Sequence, residues 1–354
     1  MPVFLALVPL LLGAKGAEVA AVDGANLQAP SWSPDGSKLA YEANFHDKKV
    51  VQLFVGDGAS FEQVRTSARA STDLTAGFSK KGSGGAVVHE IAWAPAAVGR
   101  YVFSASSDAF DYDLYISGGG PVAKAPGADG GAAWSPDGKY IAFTSARTGE
   151  GDLYLIDVAN IEKPPKQLTK PRTSSELYVS WSPNSDELVF VGHSRTGDNI
   201  WLIPGLDSAA VQLTAWSGNQ IHPRYSPTET VIAFYANKDE TDRFDLYAMP
   251  AKGRADAKRL VKGVVPNAGG PAWTPDGKHL IVVVDDDDAF DPIAAVNVET
   301  GAVKRLPLGT VGHGDLAVAK KDGAYWLAYV AQGKTHDAAR DFKRLFTAEL
   351  DGLP

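Results

Sequence analysis

Along this chain, short apolar runs end in an aromatic residue, break at a polar turn, and resume as β-branched or aromatic runs. The clearest instance is Trp32-Ser33-Pro34-Asp35-Gly36 followed by Leu39-Ala40-Tyr41. It returns from Trp134 to Phe143, Trp181 to Phe190, Tyr225 to Phe234 and Trp273 to Val283. Worn copies stand at Trp93 and near Ala319, where the turn is Asp322-Gly323. Pro presets φ, Asp offers a side-chain acceptor and Gly accepts positive φ, so each break predicts a tight hairpin turn between two strands.

A third strand follows in most copies as a polar residue, an aliphatic and an aromatic. Examples are Gln52-Leu53-Phe54, Asp113-Leu114-Tyr115, Asp152-Leu153-Tyr154, Asn199-Ile200-Trp201, Asp245-Leu246-Tyr247 and Arg344-Leu345-Phe346. A fourth shows at 166–169, 211–214 and 258–261. The anchor residues lie 61, 41, 47, 44, 48 and 46 positions apart, a period of propeller size with one insertion. The pattern predicts an all-β chain: a seven-bladed β-propeller of four-stranded antiparallel blades, with six blades as the alternative count. Recurrence of Asp113, Asp152, Asn199 and Asp245 at one repeat position predicts a structural role for them.

These Trp-Ser-Pro-Asp-Gly turns with their following Ile-Ala-Phe strands resemble the PD40, or TolB-like (WD40-like), β-propeller repeat family. The resemblance covers nearly all of the chain after its first residues. It implies the propeller fold specifically and function only weakly, since such repeats occur in TolB of the Tol-Pal system, in peptidase gating domains and in envelope proteins. TolB itself carries an α/β domain before a six-bladed propeller. Here the first copy follows the amino terminus almost at once, so TolB's partner contacts do not transfer.

Residues 1–16 read as a signal peptide: an apolar run from Met1 to Leu12, then Ala14-Lys15-Gly16 as a small-residue cleavage site. The run is too short to anchor the mature chain, and no later segment is long and apolar enough to span a bilayer. Residues 17–354 form one propeller domain with an inserted loop at 66–86. Ring closure is expected from a small strand at 18–22 that completes the last blade and removes its open edge. The chain has no cysteine, hence no disulfide, lipobox or thiolate chemistry. Its 42 acidic against 34 basic residues, net −8, argue against nucleic acid or an anionic membrane as partner.

Two sets of residues are candidates for function. The first is an acidic face built from loops of three blades: Asp108 and Asp111, Asp239 and Asp242, and Asp285, Asp286, Asp287, Asp288 and Asp291. By blade topology these loops emerge on the same side as the 66–86 insertion. They suit a basic protein partner, with Ca²⁺ as the possible cofactor. The second set, Glu90, Tyr178 and His222 with Arg224 nearby, lies on inner strands and predicts a polar ligand site in the central channel. No nucleophile elbow, zinc-binding His pair or phosphate loop is present; Gly192-His193-Ser194-Arg195-Thr196 lacks the closing Gly.

The expectation is therefore a periplasmic or secreted, non-catalytic propeller that binds a protein partner in a cell-envelope assembly. A propeller enzyme of hydrolase or lactonase type, with a metal or small ligand at the channel mouth, is the alternative.

Overall fold

The hydroxyl of each Ser-Pro-Asp-Gly turn is its node. Ser33 Oγ donates to Asp35 Oδ1 at 2.6 Å and accepts the Lys38 amide at 2.9 Å. Ser135 and Thr274 repeat both bonds, with Asp137 and Tyr140 in one turn and Asp276 and His279 in the other. In the copy lacking the Asp, Ser182 uses Asp186 instead. The Ser33 hydroxyl first, and then Ser37, hold the Asp35 carboxyl below its ordinary value. The glycine closing the turn has φ of +69° at Gly36 and +74° at Gly138, the left-handed region that glycine enters without steric cost.

These turns are assembled in a computed structural model. It describes residues 16–48, 50–64, 87–108, 111–149, 151–170, 175–195, 197–238, 242–252, 257–266, 269–285, 291–333 and 342–354. The predicted signal peptide and the 66–86 insertion lie outside them, apart from Gly16.

The architecture is a seven-bladed propeller of four-stranded antiparallel blades. Blades 1 to 6 are β2–β5 (residues 26–63), β6–β9 (87–123), β10–β13 (129–167), β14–β17 (175–212), β18–β21 (220–264) and β22–β25 (272–305). Blade 7 is β26–β28 (314–349) completed by β1 (Ala17–Ala20). Within each blade the strands run in chain order from the channel outward. A single parallel bridge, Val51 with Val87, links the sheets of blades 1 and 2.

β1 pairs antiparallel with β28 (Arg344–Glu349), placing Ala17 opposite Thr347 and Glu18 opposite Phe346. The closing strand is thus Ala17–Ala20 rather than 18–22, because the chain turns away after Ala20; Val22 still packs beside the strand. Among the described residues no helix is long and apolar enough to cross a membrane.

Seven apolar clusters fill the seven blade-to-blade interfaces. Period two explains how one strand serves two of them. In β11 (Tyr140–Ser145), Ile141 and Phe143 join blade 2 while Ala142 joins blade 4. Burial on both faces is why these second strands are continuously apolar.

The anchor aromatics seal the same interfaces. The repeat leads one to expect buried Trp32, Trp134, Trp181 and Trp273; the first three are buried, as is Tyr225, whereas Trp273 is only half-buried. Three indoles also latch blades together. Trp93 Nε1 donates to the Ser31 carbonyl, Trp181 to Ala133 and Trp273 to Arg224, at 3.3, 3.0 and 3.1 Å. Each acceptor is the residue just before the anchor of the preceding blade.

Two of the four recurrent third-strand residues tie strands together. Asp245 accepts the Gly263 amide and the Arg259 guanidinium from its outer neighbour, and Asp152 accepts the Gln167 amide group.

Candidate functional site

The inner strands of blades 1 to 5 are bulged at the third residue before the anchor or beside it, where the register with the second strand shifts. Four non-glycine residues are forced there into the left-handed region: Ala29 (φ +48°), Glu90 (+56°), Tyr178 (+56°) and His222 (+53°). Gly131 takes the same conformation in blade 3, and Gly269 and Asp315 take it nearby in blades 6 and 7. Such backbone costs on the order of 1–3 kcal/mol per residue and persists only where neighbours enforce it.

The enforcing groups are carboxylates reaching across blade boundaries. Asp315 Oδ2 of blade 7 accepts the Ala29 amide at 2.9 Å. Glu42 Oε1 of blade 1 accepts the Glu90 amide at 2.7 Å, and Glu90 Oε2 accepts the Gly131 amide at 2.6 Å. Burial pushes the Glu42 carboxyl up, offset by the Glu90 amide, Gln28 and His89. Replacing Ala29 by Gly is expected to stabilise the protein by about 1 kcal/mol, since strain is relieved and an exposed methyl is lost. Ala133→Gly, at an ordinary strand position, is the control and should destabilise; equal shifts in chemical denaturation would refute the strain.

Blades 4 and 5 replace carboxylates with rings and a cation. Tyr178 and His222 lie with ring centroids 4.2 Å apart, and His222 meets Tyr235 at 6.1 Å. Burial, and then the Arg224 charge, push the His222 imidazole down to about 4, so it is neutral near pH 7. Burial also lowers Arg224 from its ordinary value, with Tyr178 and Tyr235 counteracting.

A cavity of about 1020 Å³ runs along the channel wall of blades 2 to 5. Glu90, Leu177, Tyr178 and Arg224 line it, whereas His222 is not among its lining residues and has its ring centroid 4.2 Å from that of Tyr178. Ala146, Gly149 and Gly151, from the loop between the second and third strands of blade 3, form part of its rim. Pro136, from the turn on the opposite face, lines it as well, so the cavity reaches toward both faces, one of them the face to which the acidic loops belong.

On that face, Asp239, Asp286, Asp287 and Asp288 lie outside the described residues. Asp108 and Asp111 are backbone partners across one hairpin, and Asp111 accepts the Gly127 amide at 3.1 Å. Asp242 is exposed. Asp285 pairs with Arg243 at 3.3 Å, and the Asp291 carbonyl lies 2.9 Å from His313 Nδ1. Among the described residues, no three His, Asp or Glu side chains converge as ligands for a cation.

Glu42, Asp315 and Leu177 are absent from the sequence-level candidates. Glu42 had a readable signal: ten residues after the anchor it is charged where the clear copies have Thr144, Val191, Tyr235 and Val283. Asp315 and Leu177 had none, because neither occupies a distinctive repeat position.

Fold and channel define a seven-bladed propeller with a cavity along its channel wall. No protein-family model matches the chain. It is 25% identical over 178 residues to the uncharacterized peptidase YuxL of Bacillus subtilis, covering 40% of this chain and 26% of that protein. To the Tol-Pal system protein TolB of Francisella tularensis it is 24% identical over 223 residues, covering 62% and 48%. The chain thus spans about a quarter and about half of these relatives. Among solved structures, oligogalacturonate lyase from Vibrio parahaemolyticus superposes with a TM-score of 0.61 at 10% identity, covering 94% of this chain and 92% of that one. At that identity the likeness is one of fold.

Proposed function

We propose that this chain is a periplasmic or secreted, non-catalytic propeller that docks a protein partner within a cell-envelope assembly, using the face that carries its longer loops. One observation carries the reading. Connections between first and second strands are short and nearly uniform, whereas those between second and third strands lengthen through three successive blades: residues 237–243, 284–292 and 332–343. Long loops on a rigid closed scaffold are where partners are read, and these three connections belong to adjacent blades. The similarity to TolB supports the assembly role, and the apolar start of the chain supports export.

The acid in these loops favours a basic partner. The test is capture from envelope extract at low salt by wild type and by D286N/D287N/D288N. The expected result is a stoichiometric partner whose retention falls in the variant and at higher salt. Equal capture by both proteins, or partner loss only on mutating the opposite face, would overturn the assignment. Calcium titration calorimetry on the same pair separates protein docking from a metal site in the loops.

A further inference from the structure

Arg224 lines the channel cavity, and among the described residues no carboxylate pairs with it; the hydrogen bond its guanidinium makes is Nη1 to the adjacent Pro223 carbonyl at 3.3 Å. Elsewhere the partly buried cations have partners: Arg147 meets Asp129 at 3.1 Å and Arg243 meets Asp285. The carboxylates of the channel wall are already engaged or distant. Glu90 is held by the Gly131 amide and stands 3.6 Å from His89, while Glu42 and Asp315 cap amides in blades 2 and 1. Around Arg224 stand Tyr178, Tyr235 and neutral His222. A half-buried guanidinium set among neutral groups, on the wall of a ligand-sized cavity, is an unused anion receptor.

The neighbouring wall says what the anion is attached to. Leu177 and Tyr178 are 38% and 41% exposed, among the few large apolar side chains left open, and both line the cavity beside Arg224. Tyr178 is moreover kept there at a backbone conformation that disfavours every residue but glycine. Ala29, Glu90, Gly131 and His222 share that conformation, so the strain belongs to the blade architecture, and what is particular to this wall is the ring presented there.

We propose that the blade 4 and 5 wall of the channel binds a small organic carboxylate, with its charge on Arg224 and its carbon body against Leu177 and Tyr178. This site is separate from the loop face of the docking reading, and its test uses purified protein and small anions, so either can fail without the other. Arg224 and His222 respond together to occupancy. An anion on Arg224 removes the charge that helps hold His222 neutral, so the imidazole gains protons at higher pH in the complex. Proton uptake on binding is then expected as pH falls toward the free-protein value of about 4; because burial, the larger cause, remains in the complex, the upward shift is partial and stays below the ordinary histidine value. Among the described residues the groups facing the imidazole are Arg224, Tyr178 and Tyr235, with Gly270 on the blade 6 side, and none of them is a carboxylate that would compete for this coupling.

Titration calorimetry of the whole chain with phenylacetate, acetate and inorganic phosphate, at pH 7 and pH 5.5, tests this. Phenylacetate should bind at one site, at least about tenfold tighter than acetate or phosphate; R224Q should lose about tenfold or more. Because R224Q alters a half-buried residue, a wild-type readout stands beside it: the His222 imidazole titration, followed by NMR, should move upward on adding phenylacetate. No heat with any probe at millimolar concentration, equal binding by folded R224Q, or an unmoved His222 titration would overturn the proposal. Phosphate binding as tightly as phenylacetate would overturn its organic part.

Discussion

Removal of the chain through Val22 should open the ring and cost roughly 3–6 kcal/mol of stability. The strand lost, β1, supplies the outer ladder of blade 7, and each backbone hydrogen bond given up is worth about 1 kcal/mol net. Val19, Ala20 and Val22 also leave the apolar cluster between blades 7 and 1, at roughly 25 cal/mol per Å² of apolar area re-exposed. A second consequence is kinetic: β28 becomes a free edge that can pair with another chain. Urea denaturation of the truncated protein should therefore show a lower midpoint, and light scattering should show concentration-dependent association. Glu18→Ala serves as the control, since it removes only a half-exposed ion pair with Arg344, worth little at the surface. A truncated protein with an unchanged midpoint would mean that the ring is closed by interblade packing and not by this strand.

Blade number, closure and the turn positions were legible in the sequence because their causes are local. The Ser33 hydroxyl, the Asp35 carboxylate and positive φ at Gly36 lie within four residues, so each turn announces itself wherever those residues stand together. The channel was legible only in part. Counting back three residues from each anchor picked out Glu90, Tyr178 and His222, but not that their backbones are left-handed. That conformation is imposed by groups far away in sequence: Asp315 acts on Ala29, and Glu42 on Glu90. Nor does residue type say which charges remain available. Glu90 and Arg224 look alike as channel candidates, yet the Gly131 amide holds the first while the second has only its neighbour's carbonyl. The indole latches escaped for the same reason, since their acceptors are main-chain carbonyls one blade back.

Truncating Trp181 to Ala should cost about 3–5 kcal/mol, the cost typical of deleting a large buried aromatic. Its indole fills the interface of blades 3 and 4 among Leu155, Leu188 and Phe190 and stacks on Tyr140 at 6.4 Å. Trp181→Phe isolates the latch: most of the packing stays, while the Ala133 carbonyl loses its donor, a change of about 1–2 kcal/mol. Trp134 provides the comparison within the same molecule. It is buried to a similar extent, but its Nε1 meets no acceptor among the described residues, so Trp134→Phe should cost less than Trp181→Phe and relieves a poorly satisfied donor. Equilibrium unfolding of the four variants gives the order directly: both Ala substitutions severe, Trp181→Phe intermediate, Trp134→Phe mild. If the two Phe variants were equally stable, the interblade bond would contribute nothing measurable and shape alone would explain the recurring aromatic. A Trp134→Ala protein that unfolded like wild type yet lost its partner would instead move this residue from the core to the binding surface.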